Sequence, residues 1–284
     1  MEFTASPTGD SKWARSARFV LPAQTAMPSH LPAPMVLTDK ALIRHAATVL
    51  RIKTGMVIRL VHPILEQAYT ARVEGVSATK MALMLLTTEE TVSDGLPHIT
   101  LMAALIKGQR WDWLLQKATE LGVRTFKPLI TQHTVVSGQE WSGKMLRWQE
   151  ITKAAVEQCD GRFLPRIDLP QALPVCLKEL PAAYEGDLRL VMMERGDYRQ
   201  SLHQTLSRCV VQPSRVWLAV GPEGGLSDAE GQLLETHGFQ PIQFGRRVLK
   251  AETAAIAGLS GLVSWYDREC QEVAASLKPE KATP

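Results

Sequence analysis

The sequence predicts an α/β protein in which a small β-barrel precedes a larger domain built on a mainly parallel sheet, and three observations predict it. From residue 98 onward, short apolar runs alternate with amphipathic helical segments. That is the pattern of βα units whose sheet is covered on both faces. Before residue 90, strands rich in Val, Ile, Leu, Tyr and Thr follow one another with one helix among them, the texture of a small barrel. Between the two, residues 87–97 are acidic and carry Ser93-Asp94-Gly95, a linker composition. The expected division is a disordered tail over 1–14, a barrel domain over 15–90, a linker over 91–97, the α/β domain over 98–270, and a second disordered tail over 271–284.

The elements follow in order. Thr38 is placed to cap a helix over 39–50, which Lys53-Thr54-Gly55 ends. Strands are expected over 56–61, 68–76 and 80–87, and then over 98–105. A helix over 109–121 puts Trp111, Leu114, Leu115, Ala118 and Leu121 on one face, with Gly122 at its end. A strand over 126–130 precedes a helix over 143–159 with Met145, Trp148, Ile151, Ala155 and Cys159 on one face. A strand over 188–193, a helix over 198–209 and strands over 216–220 and 241–244 come next. A last helix over 253–267 buries Ile256, Leu259, Leu262, Val263 and Tyr266.

Composition bounds the function. The chain has 284 residues, 45% hydrophobic and 21% charged, enough to bury a sizeable core. A net charge of +3 permits a nucleic-acid partner without demanding one. Cys159, Cys176, Cys209 and Cys270 are far apart with no C-x-x-C pair, which points to reduced thiols in a cytoplasmic protein and to no metal site. The apolar run over 254–265 is well short of the ~20 residues of a membrane span. Residues 1–14 mix Glu2 and Asp10 with Lys12 and have no apolar segment, so no signal peptide is read.

The most informative stretch is Gly221-Pro222-Glu223-Gly224-Gly225-Leu226-Ser227, between a buried strand and a helix. Ser227 and Glu230 have the spacing of a capping box, so the helix start is well specified. A strand, a glycine-rich turn and a capped helix set bare N–H groups at the carboxyl end of a sheet, where α/β proteins bind ligands. The loop fits neither the phosphate-loop nor the dinucleotide pattern, which leaves a nucleotide-dependent oxidoreductase or NTPase as a distant alternative. A second strand-to-helix junction, Phe244 to Ala254, also turns through a glycine and carries Arg246, Arg247 and Lys250. Glu252 and Thr253 sit where they would cap the helix, or do no more than that. Two such junctions in one half-chain point to a composite pocket, with a cationic cluster beside it suited to a polyanion.

These segments, in order, resemble the ribosomal RNA small-subunit methyltransferase E family, which makes N3-methyluridine in 16S ribosomal RNA. The resemblance runs from Arg18-Phe19-Val20 to the final helix. It is carried by Arg44-His45 with Val49-Leu50-Arg51, by Gln116-Lys117 with Glu120-Leu121-Gly122-Val123, and by Glu157-Gln158 followed by Arg162 and Pro165. The loop over 221–227 and the segment over 244–254 complete it. The chain departs at Arg44, where the family has a histidine, and at Arg246, Lys250 and Ala251, where it has proline, arginine and threonine. Lys250 keeps the charge and loses the bidentate fork.

The resemblance implies a PUA-like RNA-binding barrel, a SPOUT domain with a deep trefoil knot in its sheet, and a homodimer. It implies S-adenosyl-L-methionine bound bent by the loops after Met193, Val220 and Phe244. Expected around that methyl donor are Met193, Val220, Gly221, Pro222, Glu223, Gly224, Gly225, Phe244, Gly245, Val248, Leu249, Glu252, Thr253 and Ala254. Arg18, Arg44, His45, Arg51, Lys117, Arg162, Arg246 and Lys250 are expected to face ribosomal RNA or the small ribosomal subunit. For catalysis, Arg162 or Arg247 would stabilise the uracil anion; no residue stands out as general base, and Glu223, within the loop, is the candidate for it. Each has a structural alternative: Glu223 accepting loop N–H groups, Lys117 pairing with Glu120, His45 as an ordinary helix histidine, and the tryptophans as core or dimer interface. The alternative functions are a SPOUT enzyme for another RNA nucleotide and a non-catalytic RNA-binding ribosome assembly factor.

Overall fold

The computed structural model describes residues 17–89, 95–136, 141–159, 161–182, 184, 186–193, 200–209, 211–245 and 247–276, with side chains to residue 268. The segment expected as a tail over 1–14 lies outside the described residues. The chain divides into two compact units, Met1–Thr91 and Val92–Pro284.

The first unit holds β1 (Arg18–Val20), β2 (Ala33–Leu37), α1 (Lys40–Arg44), β3 (Val57–His62), β4 (Gln67–Val76) and β5 (Met81–Thr88). The strands form one sheet in the order β1-β3-β4-β5-β2, with β1 parallel to β3 and the other pairs antiparallel. Phe19, Ile58, Leu60, Ala71, Val73, Leu83 and Leu85 point to one core with Leu42, Ile43 and Ala46 of the helical segment. β2 contains Pro34 and lies at the sheet edge, where a strand tolerates proline; its proline-rich surroundings hide it from the sequence pattern. The helix expected over 39–50 is two pieces, α1 and a π-helical turn His45–Val49. Thr48 Oγ1 donates to Arg44 O at 2.6 Å and so competes for that carbonyl, while Leu50 N–H reaches back to His45 O. Asp39, not Thr38, caps α1, accepting from Leu42 N at 2.8 Å.

The second unit runs β6 (His98–Ala103), α2 (Gln109–Glu120), β7 (Val123–Phe126), β8 (Leu129–Ile130), α3 (Ser142–Gln158), β9 (Arg166–Ile167), β10 (Gln171–Ala172), α4 (Leu173–Lys178), β11 (Asp187–Met192), α5 (Leu202–Leu206), β12 (Arg215–Val220), α6 (Asp228–Thr236), β13 (Gln240–Ile242) and α7 (Ala251–Ser276). Six strands make an all-parallel sheet in the order β13-β11-β12-β6-β7-β9. Alternate side chains serve the two faces, as pleating requires. Leu188, Leu190, Met192, Val216, Leu218 and Val220 pack with α2, α3, α5 and α7. Val191, Trp217 and Ala219 pack with Leu173, Cys176 and Leu177 of α4 and Leu234 of α6.

Three expectations change here. The strand expected over 126–130 is broken at Lys127-Pro128, and its second half, β8, pairs with β10 instead of extending β7. Proline has no N–H to continue the ladder. The helix expected over 198–209 reduces to α5, capped by Ser201 and Gln204; residues 198 and 199 lie outside the described residues. α7 starts before Glu252 and continues through Ser276, into the segment expected as a tail over 271–284.

Candidate functional site

The sheet order determines where the site lies. β13, β11 and β12 are neighbours and parallel, with Met192 in register with both Val220 and Ile242. Their carboxyl ends therefore open side by side, although residues 192 and 242 are far apart in sequence. A cavity of about 400 Å³ lies there, within the range of small-molecule sites.

The glycine loop forms one wall. Gly225 and Gly245 have φ of +73° and +74°, a region that L side chains rarely adopt, and a Cβ at either would meet no protein atom within 4 Å. Both glycines thus leave main chain bare to the cavity. Ser227 and Glu230 form the capping box foreseen for α6, with Glu230 Oε2 accepting from Ser227 N at 2.9 Å. Met192, Met193, Val220, Leu226, Phe244, Val248 and Leu249 supply apolar lining. Phe244 and Val248 are exposed, apolar surface at the cavity that a ligand would cover.

Of the expected ligand-binding set, Met193, Val220, Gly221, Pro222, Gly224, Gly225, Phe244, Gly245, Val248, Leu249 and Ala254 line the cavity, and so does Arg247. Glu223, Glu252 and Thr253 do not. Glu223 turns away to form an ion pair with Arg110. Thr253 is exposed on the first turn of α7, and Lys250 O, accepting from Ala254 N at 2.8 Å, opens that helix two residues before Glu252, the first of the expected caps. Glu252 is only 8% exposed, and its Oε2 has no hydrogen-bond partner among the described residues. Its position in the first turn of a long helix lets the helix dipole stabilise the charge.

The expected RNA-facing residues do not form one group. Arg18 is 4% exposed within β1, so burial removes it from an RNA-facing role in this chain. Arg44 and Arg51 are exposed, and His45 is half-buried with its ring edge-on to Phe19 at 6.2 Å. Lys117 holds Glu120 at 2.8 and 3.0 Å, the pairing its spacing allowed. Arg162 is half-buried and outside the cavity lining, Lys250 is exposed, and Arg246 lies outside the described residues.

The sequence pattern missed His133, Gln243 and Asp228 in the lining, and Arg110 behind Glu223. Asp228 is the first residue of α6, a position the capping box marks. His133 follows a two-residue strand, 92 positions from the Gly225 carbonyl it touches, and no local signal marks it. No grouping of three or more His, Cys, Asp or Glu that could hold a metal ion occurs among the described residues. No helix there is long and apolar enough to cross a membrane.

Residues 94–263 match the profile of the RNA methyltransferase domain, and that stretch contains the whole cavity. The chain belongs to the RNA methyltransferase domain family. It is similar to the ribosomal RNA small subunit methyltransferase E of Neisseria gonorrhoeae, solved bound to S-adenosyl methionine, with TM-score 0.76, 26% identity, and 88% of this chain and 98% of that one covered. A Legionella pneumophila methyltransferase in complex with the bound cofactor SAM gives TM-score 0.74 and 30% identity over 89% of this chain and 98% of that one. A curated relative from Synechocystis, named ribosomal RNA small subunit methyltransferase E, is 33% identical over 174 residues, 60% of this chain. The chain spans 55% of that relative's length.

Proposed function

We propose that this protein transfers a methyl group from S-adenosyl-L-methionine to N3 of a uridine in small-subunit (16S) ribosomal RNA. The observation that carries the proposal is the cavity at three adjacent parallel strand ends, inside the segment that matches the RNA methyltransferase domain. The residues fit the donor. Bare main chain at Gly225 and Gly245 and the apolar wall suit an adenosyl group, and the Asp228 carboxylate suits a cationic donor. S-adenosylmethionine brings an already activated methyl group, so the protein needs chiefly to align it with the acceptor and exclude water.

The acceptor nitrogen lies on the pairing edge of uracil, so the nucleotide must be unpaired or flipped out. The exposed Arg247 guanidinium at the cavity is positioned to favour the uracil anion. Glu223, held by Arg110 and outside the lining, is assigned the structural role, and Arg162 an RNA contact. In the same proposal the parallel sheet carries a trefoil knot of the SPOUT type and the first unit is a PUA-like RNA-binding barrel. The protein acts in the cytoplasm as a homodimer. Arg44, Arg51, Lys117, Arg246 and Lys250 belong to its RNA surface.

Titration of the protein with S-adenosylmethionine in a calorimeter tests the pocket, and heat saturating at one donor per chain is expected. Mass spectrometry of small-subunit ribosomal RNA from a deletion strain tests the substrate. An unchanged methyluridine content would refute it. Arg51→Ala should weaken RNA binding and lower its salt slope by about 1 without altering donor affinity.

A further inference from the structure

One polar wall of the cavity comes from outside the three strand ends. Residues 131–134, just after β8, form a tight turn in which Thr134 N–H donates to Thr131 O at 3.1 Å and Thr131 N–H donates to Thr134 Oγ1 at 2.9 Å. The turn is fastened to the glycine loop at two points. Gln132 N–H donates to Glu230 Oε1 at 2.8 Å, so the capping-box acid of α6 holds both segments. His133 Nδ1 lies 3.1 Å from Gly225 O, and His133 lines the cavity. The fit is close, since a Cβ at Gly224 would come within 2.9 Å of His133 Cβ.

The partner of Nδ1 fixes the tautomer. A carbonyl oxygen only accepts, so the bond to Gly225 O places the hydrogen on Nδ1. In the neutral ring Nε2 then carries the free lone pair. Among the described residues, the other ionisable side chains lining the cavity are Asp228 and Arg247. Arginine is always protonated, and a carboxylate is ordinarily too weak a base to deprotonate a ring nitrogen efficiently near neutral pH. Imidazole is the group whose ordinary titration range suits that task.

We propose that His133, through Nε2, is the general base of the methyl transfer, an assignment that rests on the methyltransferase reading above. The N–H bond of the acceptor ring nitrogen breaks, its proton passes to Nε2, and its electron pair stays on nitrogen for the new N–CH₃ bond. The donor leaves as a neutral thioether, the carbon–sulfur electron pair remaining on sulfur. The resulting imidazolium, exposed at the cavity, returns its proton to water. The Nδ1–H bond to Gly225 O persists in both states of the ring and keeps Nε2 oriented.

Two variants and one spectrum test this. His133→Asn keeps an amide donor for Gly225 O and removes the base. Its affinity for S-adenosylmethionine by calorimetry should stay within about twofold of the native protein, while single-turnover methylation of the RNA falls by about 10²–10⁴-fold. His133→Ala should regain turnover when free imidazole is added. Nitrogen NMR of the histidine-labelled full chain should show His133 as the Nδ1–H tautomer. Turnover of His133→Asn within threefold of native, an Nε2–H tautomer, or a loss of donor affinity equal to the loss of rate would each overturn the assignment, the last in favour of a loop clamp. Failure of the native protein to bind S-adenosylmethionine would instead sink the methyltransferase reading itself, so the two failures are told apart.

Discussion

Replacing Gly221 by alanine probes the cradle most directly. A Cβ at residue 221 would meet Leu226 Cγ at 3.0 Å, Leu226 N at 3.1 Å and Gly225 C at 3.2 Å. Two of these atoms belong to the backbone of the same turn and cannot rotate away, so the loop must open. Such overpacking typically costs about 1–3 kcal/mol. The strain divides between two observables. In the free protein the loop relaxes part of it by moving, and the ligand must then spend binding energy to close the loop again. The loss in folding free energy and the loss in binding free energy should therefore sum to about 1–3 kcal/mol. If binding carries all of it, the Kd for S-adenosylmethionine rises roughly fivefold to 150-fold. Calorimetry with the donor and urea unfolding without it measure the two parts. Gly231→Ala is the internal control. It lies in α6, where a Cβ would meet only the far end of the unbranched Met193 side chain, Cε at 3.3 Å, which shifts by a few tenths of an ångström to admit it, and alanine should gain up to about 0.8–1 kcal/mol of helix propensity. A Gly221→Ala protein with unchanged Kd and unchanged stability would refute the cradle.

Gly224→Val should abolish donor binding because its side chain collides with His133, and His133→Ala in the same chain should restore part of the affinity; strictly additive effects in that double-mutant cycle would refute the contact. The Asp187 side chain, 2% exposed, accepts from Arg215 Nε at 2.7 Å and Nη2 at 3.0 Å and neighbours the buried Arg189, so Asp187→Ala should lose about 3–5 kcal/mol in urea unfolding. It sits at the amino end of β11, opposite the cavity, so donor affinity should not change. Burial pushes the Cys176 thiol up to about 11 from 9.0, so it should resist iodoacetamide at pH 8 until the protein unfolds. The raised value also means that the neutral thiol's contribution to stability is whole below pH about 9 and is lost as pH climbs toward 11. Rapid native-state alkylation of Cys176 would contradict its burial.

Periodicity carried the second unit far because a sheet covered on both faces needs continuous apolar strands and one-sided helices. β6, β11, β12, α2 and α3 all lie where the pattern placed them, shifted by one or two residues at their ends. It failed where the signal is too short or tertiary contacts compete. β9 and β10 are two residues each, β2 is masked by prolines, and the helix after Asp39 yields to a π turn.

The glycine loop and its capping box were fixed by local chemistry, since a positive φ favours glycine and a side-chain cap favours a helix start, so Gly225, Gly245, Ser227 and Glu230 could be read from their own neighbourhoods. Which strand ends adjoin is not local. The order β13-β11-β12 brings three loops to one cavity, and the turn after β8 brings His133 against Gly225 from 92 residues away. Strand pairing and loop docking are set by the free energy of the whole core, which no window of sequence contains. Folding alone turned Glu223 outward to Arg110 and buried Arg18.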